Sequence, residues 1–344
     1  MTSLFKKHKR TPKELALKLA NALNTLKDSG DTKDQESCGK YLADMRAIMY
    51  GDGEHPPDPT LQSQLTEAVH AADGLLASVV IHLPKLFFET RKDAAAVFNA
   101  LVRHPLEPDE RLPFIAELES RPDVVERCLT GSELGDQTVG NDNTALTYGT
   151  MLREMARYEP LCRRIVQSPG FAKMFEYMQA ASFEIASDAA ASFREILTRH
   201  KALISEYFES NHVAFFGAYN QMLEKGNYVT RRQSLKLLSE LLLDRANLSS
   251  MLRYIGDVEN LCLMMNLLRD EARSIQFEAF HVFKVFVANP QKPTAVIAIL
   301  KKNREKLIGY LAHLQNDRED EQFAEEKAML TRLLEQMGDD DAAQ

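Results

Sequence analysis

Residues 93–102 read DAAAVFNALV, and residues 188–197 read DAAASFREIL. Each copy opens with Asp and three Ala, passes one variable residue, and reaches Phe98 or Phe193. Two large aliphatics follow three and four positions later: Leu101 and Val102, then Ile196 and Leu197. At 3.6 residues per turn this spacing gathers the apolar side chains on one helix face. Weaker copies keep the frame. One holds Gly149, Leu152, Met155 and Ala156. Another holds Leu235, Leu238, Leu241 and Leu242, and a third Phe277, Phe280 and Phe283. With Gly149, Ala190, Leu235 and Phe277 taken as equivalent, the steps are 41, 45 and 42 residues. That is the period of armadillo and HEAT units. One such unit cannot bury its stripe alone, and stacking buries it against the next. The step from Ala95 to Gly149 is longer, 54 residues. The Gly-, Asp- and Asn-rich stretch from Gly131 to Asn143 accounts for it as a surface-loop insertion.

The rest of the chain agrees with an all-α fold, an α-solenoid of about six armadillo- or HEAT-like repeats. Thr11-Pro12-Lys13-Glu14 is a helix start, with Thr as N-cap, Pro at the first position and Glu closing a capping box. A second helix runs from about Gln35 to Tyr50 and stops at Gly51. Gly51 to Pro59, with its prolines and glycines, is a loop. No proline lies between Pro169 and Pro290, an interval full of amphipathic pattern. Sustained period-two alternation is missing, and so are hairpin turns between apolar runs. Gln322 to Met337 forms a last helix, with Phe323, Leu330, Leu333, Leu334 and Met337 on its apolar face. Residues 1–338 then make one repeat domain, and 339–344 an acidic, frayed tail.

Composition removes several function classes. The 344 residues are 44% hydrophobic and 27% charged, with a net charge of −8, which opposes a nucleic-acid role. Cys38, Cys128, Cys162 and Cys262 never approach C-x-x-C spacing, so a zinc ribbon or disulfide framework is not expected. The basic start, Met1 to Arg10, lacks an apolar signal core. The apolar run Leu75 to Leu83 is too short to span a bilayer. A cytoplasmic and also nuclear location follows as the expectation. Phosphate-loop, nucleophile-elbow and zinc-protease motifs do not occur. His281 reads as a packing residue and Cys262 as a small apolar one. No catalytic residue, metal ligand or cofactor is therefore expected, and the chain reads as a binding surface rather than an enzyme.

One helix carries a recognition signal. In the run from Asn227 to Lys236, Tyr228, Arg232 and Lys236 recur every four residues on one side, while Leu235, Leu238 and Leu242 face the core. Tyr beside Arg is a composition typical of interface hot spots.

Here a family resemblance enters. Tyr228 to Arg245 (YVTRRQSLKLLSELLLDR), Glu259 to Asp270 (ENLCLMMNLLRD) and Ile275 to Pro290 (IQFEAFHVFKVFVANP) closely resemble the mouse protein 25, or calcium-binding protein 39, family. Phe183 to Lys201, Gln315-Asn316-Asp317-Arg318 and Phe5 to Pro12 fit as well. The resemblance implies a curved, crescent-shaped solenoid without enzymatic activity. It implies a scaffold and allosteric activator that binds sterile-20-like kinases or a related pseudokinase, in a heterotrimer with a liver-kinase-like enzyme. Its concave-face positions match Phe183, Tyr228, Arg232, Lys236 and Met265. A C-terminal hydrophobic pocket for a Trp-Glu-Phe partner tail matches Arg245, Leu248, Cys262 and Met265. Two positions depart from the family: Leu248 stands where Phe is common, and Cys262 where Lys would pair with the acidic tail residue. The calcium of the family name finds no ligand spacing here. The alternative is an armadillo-type adaptor for a non-kinase protein partner. The missing Trp weighs against an importin-like adaptor.

Overall fold

A computed structural model of the chain describes residues 10–29, 31–51, 53–106, 112–131 and 144–339. Every element among them is helical. The chain divides into two compact units, with the boundary between His200 and Lys201. The first contains α1 (Pro12–Ser29), α2 (Thr32–Tyr50), α3 (Pro59–Ala71), α4 (Leu75–His82), α5 (Phe88–Arg103), α6 (Pro113–Glu119), α7 (Pro122–Thr130), α8 (Thr144–Met155), α9 (Glu159–Gln167), α10 (Met174–Tyr177) and α11 (Phe183–Arg199). The second contains α12 (Lys201–Lys225), α13 (Tyr228–Leu243), α14 (Leu248–Ile255), α15 (Val258–Leu267), α16 (Arg273–Ala288), α17 (Thr294–His313) and α18 (Glu321–Asp339).

Local chemistry sets the element ends. At α1 the capping box forms: the Thr11 N–H donates to Glu14 Oε2 at 3.0 Å, and the Glu14 N–H donates to Thr11 Oγ1 at 3.3 Å. The second helix begins three residues before the expected Gln35, because the Asp31 side chain accepts from the Lys33 N–H and caps it. It ends at Gly51, whose φ of +87° a residue with Cβ rarely adopts. In α12 the helix is broken at Asn211 (φ −120°, ψ 15°), whose side-chain N–H donates to the Tyr207 carbonyl at 2.9 Å.

The repeat is visible as packing. In the first unit α2, α5, α8 and α11 lie side by side in that order. In the second, α13, α16 and α18 do the same. The stripes that defined the repeat are buried between them: Phe98, Leu101, Phe193, Ile196, Leu235, Leu238, Phe280 and Phe283 are all at most 1% exposed. Each such side chain contributes roughly 1.5–3 kcal/mol. Polar ties then span one repeat. Arg46 reaches Asp93 (3.1 Å), Arg103 Nε donates to Glu154 (2.8 Å), and Arg153 pairs with Asp188 (2.8 Å). In the second unit Asn220 donates to Asn260 (2.6 Å), Arg231 pairs with Asp270 (2.5 Å), and Lys284 with Glu326 (2.7 Å). The two aspartates that open the DAAA copies thus do the same work, each taking an arginine from the preceding helix of its row. Gly149 explains the closest approach, since a Cβ there would lie 1.8 Å from Asp188 Oδ2.

Three details differ from the sequence pattern. Phe277 is half-buried rather than enclosed, and so are Leu333 and Met337 on α18. Phe323, Leu330 and Leu334 do face inward, against the helices that α18 closes. The expected insertion, Gly131 to Asn143, lies outside the described residues from 132 on; the expected acidic tail, 339–344, does so from 340 on, and Asp339 is the last residue of α18.

Candidate functional site

Helix α13 builds the surface that the sequence singled out. The Asn227 side chain accepts from the Thr230 N–H at 3.0 Å and fixes the helix start. Ser234, Leu235, Leu237, Leu238, Leu241 and Leu242 are buried, which fixes the rotation of the helix. The opposite side carries Tyr228, 48% exposed, and the exposed Arg232 and Lys236. The neighbouring Arg231 has another fate. Its Nε donates to the Leu223 carbonyl at 3.1 Å, and its guanidinium meets Asp270. One arginine is a staple between repeats, and the next, about 100° further round the helix, is presented to solvent.

Next to α13 lies α16, and beyond it the turn that precedes α18. Arg232, Arg273, Phe277, Glu278, Gln315 and Arg318 surround a depression of about 300 Å³. The Arg318 guanidinium stacks on the Phe277 ring at 3.6 Å from its centroid. Arg273 makes a two-pronged pair with Asp317. Burial pushes the Glu278 carboxyl above its ordinary pKa, and the charges of Lys236, Arg232 and Arg318 oppose that push. Those three cations therefore lie within electrostatic reach of one carboxylate.

The remaining expected residues sit elsewhere. Cys262 and Met265 are half-buried and three residues apart on α15, so they share a face. Arg245 is exposed in the 3₁₀ turn of residues 245–247. Leu248, 55% exposed, opens α14, with Leu252 one turn on at 39%. Helices α14 and α15 pack on each other. Phe183 is 68% exposed and belongs to the first unit. Phe88, Phe183 and Tyr228 are each the first residue of their helix, at α5, α11 and α13, and all three are exposed.

Arg273 and Glu278 were not singled out as site residues, and Gln315 and Arg318 entered only within a block that carries the family resemblance. The repeat carried a signal for one of them and for a neighbour. A step of 42 residues from Arg232 and Lys236 lands on Ser274 and Glu278, and both line the depression. Among the described residues no group of three or more His, Cys, Asp or Glu side chains could hold a metal ion. None of the described helices is long and apolar enough to cross a membrane.

The family model described as Mo25-like matches residues 3–338. The chain belongs to the Mo25-like family. Its Mo25-like relatives match it over nearly its whole length. It is 41% identical to the calcium-binding protein 39-like protein of Mus musculus, over 96% of each chain. It is 40% identical to a Mo25-like protein of Schizosaccharomyces pombe, over 98% of this chain and 100% of that one. Among solved structures, a designed armadillo repeat protein in complex with a (KR)4 peptide is 14% identical, with a TM-score of 0.46 over 79% of this Mo25-like chain and 99% of the other.

Proposed function

We propose that this chain is a non-catalytic scaffold that binds a sterile-20-like kinase or related pseudokinase and activates it, in the cytoplasm or nucleus and within a heterotrimer that includes a liver-kinase-like enzyme. The observation that carries this reading is the Mo25-like match over residues 3–338 together with the exposed line of Tyr228, Arg232 and Lys236 on α13. These three are among the positions that the resemblance matches to the family's partner-binding face. Tyr228 supplies a rigid amphipathic contact. Arg232 and Lys236 set orientation and the rate of encounter. Met265 and Phe183 add apolar contacts.

A second contact is proposed at Arg245, Leu248, Cys262 and Met265, where a hydrophobic partner tail would dock. Arg245 is the one cation of that set, because Cys262 supplies none. A tail that anchors by apolar side chains suits it better than one that relies on an acidic residue.

Activation follows from linkage. A surface that prefers the active conformer shifts the kinase population by that preference alone. A full switch, from 1:99 to 99:1, needs about 5.5 kcal/mol of differential affinity. The test is affinity capture of this chain from its own cells, read by mass spectrometry, beside the Arg232→Ala, Met265→Ala double variant. The expected result is a sterile-20-like kinase or pseudokinase with the wild type and its loss with the variant at unchanged helicity. Capture of no kinase would remove the partner class, and unchanged capture by the variant would remove the face.

A further inference from the structure

The depression beside α13 has a composition at odds with the rest of the chain. The protein carries a net charge of −8. Yet three guanidinium groups, those of Arg232, Arg273 and Arg318, meet around about 300 Å³, with Glu278 as the one carboxylate lining it. They come from three successive segments: α13, the first turn of α16, and the turn before α18. Two are held in place before any ligand arrives, Arg318 by the Phe277 ring and Asp320, and Arg273 by Asp317. Arg232 is exposed and is committed to no carboxylate within ion-pair distance among the described residues.

The walls add donors. Helix α16 starts at Arg273, where the first N–H groups have no intrahelical acceptor, and its N-cap Ala272 has no side chain to supply one. Ser274 lines the depression as well. The wall opposite is built at conformational cost. Gln315 is the one non-glycine with positive φ, 47°, among the described residues. Its amide donates to the Arg273 carbonyl at 2.7 Å and to Gln276 Oε1 at 3.2 Å, which ties the turn to the start of α16. The Gln315-Asn316-Asp317-Arg318 block thus closes one side of this site.

We propose that this depression binds a phosphorylated side chain of a protein partner. The inference rests on the reading of this face as a partner-binding surface and gives the chemistry of one contact. The side chains lining the depression offer more donors than acceptors even with Arg273 and Arg318 partly engaged by Asp317 and Asp320, which favours an acceptor-only ligand. A phosphoryl group presents three acceptor oxygens and close to two charges, a match for forks arriving from separate walls. A carboxylate presents two oxygens and would leave one wall unused. Glu278 opposes any anion at this place, and this gives the proposal a signature of its own sign.

The test uses the full chain and three labelled degenerate peptide pools with a central phosphoserine, serine or glutamate. Binding is read by fluorescence anisotropy at fixed ionic strength. The phosphoserine pool is expected to bind about tenfold tighter than the other two. Arg232→Gln and Arg318→Gln should each remove most of that difference. Lys302→Gln, the same charge change on the exposed side of α17, should not. Glu278→Gln should tighten the phosphoserine pool severalfold, where a merely structural residue would weaken it or leave it unchanged. Equal binding of the three pools, equal loss with Lys302→Gln, or no gain with Glu278→Gln would each overturn the site. Because no kinase is used, failure here and failure to capture a kinase are separate results.

Discussion

Gly149 shows how much one missing methyl decides. Its backbone lies against the Asp188 carboxylate, which burial pushes above its ordinary pKa and which Arg153 holds at 2.8 Å. In Gly149→Ala the new Cβ would displace that carboxylate and break the pair. The helix-propensity gain of Ala, about 1 kcal/mol, is smaller than the overpacking cost of about 1–3 kcal/mol. A net loss of roughly 1–2 kcal/mol is expected, read as a lower urea midpoint. A second expectation concerns His212 and His281. Burial lowers both imidazole pKa values below the ordinary 6.5, and His212 Nε2 meets the Ser250 carbonyl at 3.2 Å. The unfolded chain therefore takes up these protons first as pH falls. Their stabilisation is present above about pH 6.5 and is lost below it. Unfolding measured at about pH 7.5 and 5.5 should show a shallower fall for His212→Gln, His281→Gln than for wild type. At this scale the sequence was half readable. The repeat frame did pick out position 149. The division of labour between Arg231 and Arg232 was not expected, since it depends on where Asp270 and Glu278 arrive from other repeats.

Helix starts were legible where a side chain closes on its own backbone. The Thr11 box is such a case, and Thr11→Ala should cost about 1 kcal/mol and speed hydrogen exchange in the first turn of α1. Slower or unchanged exchange there would contradict the cap. The start of α2 was placed three residues late, because the apolar period begins after Asp31 has already capped the helix. The break in α12 has no proline or glycine to mark it: it falls at Asn211, whose side chain bonds to the Tyr207 carbonyl, although Asn303 makes the same bond to Ile299 inside α17 without a break. Phe277 was placed on the buried stripe because its spacing to Phe280 and Phe283 fits a helix face. Spacing is blind to Arg318, which arrives 41 residues later and gives the ring a second, outward use. The site is thus a product of elements from neighbouring repeats, and only their shared period pointed to it.

For the whole molecule, the repeat period fixed the architecture, because a stripe that recurs every 41–45 residues has one economical way to leave water. We propose that residues 1–338 act as one repeat domain. This predicts that both compact units lose structure at a single urea midpoint; two resolved midpoints would separate them. A last consequence follows from the four thiols. Cys38, Cys128 and Cys162 are buried, and burial raises each pKa, to about 11 for Cys38 and about 12 for Cys162. Only Cys262 is partly open. A maleimide reagent at neutral pH needs thiolate and access together. The native protein should therefore gain one adduct by mass and the urea-unfolded protein four. That adduct would stand one turn from Met265, so the chain comes with its own attachment point for a fluorophore beside the proposed tail-docking residues.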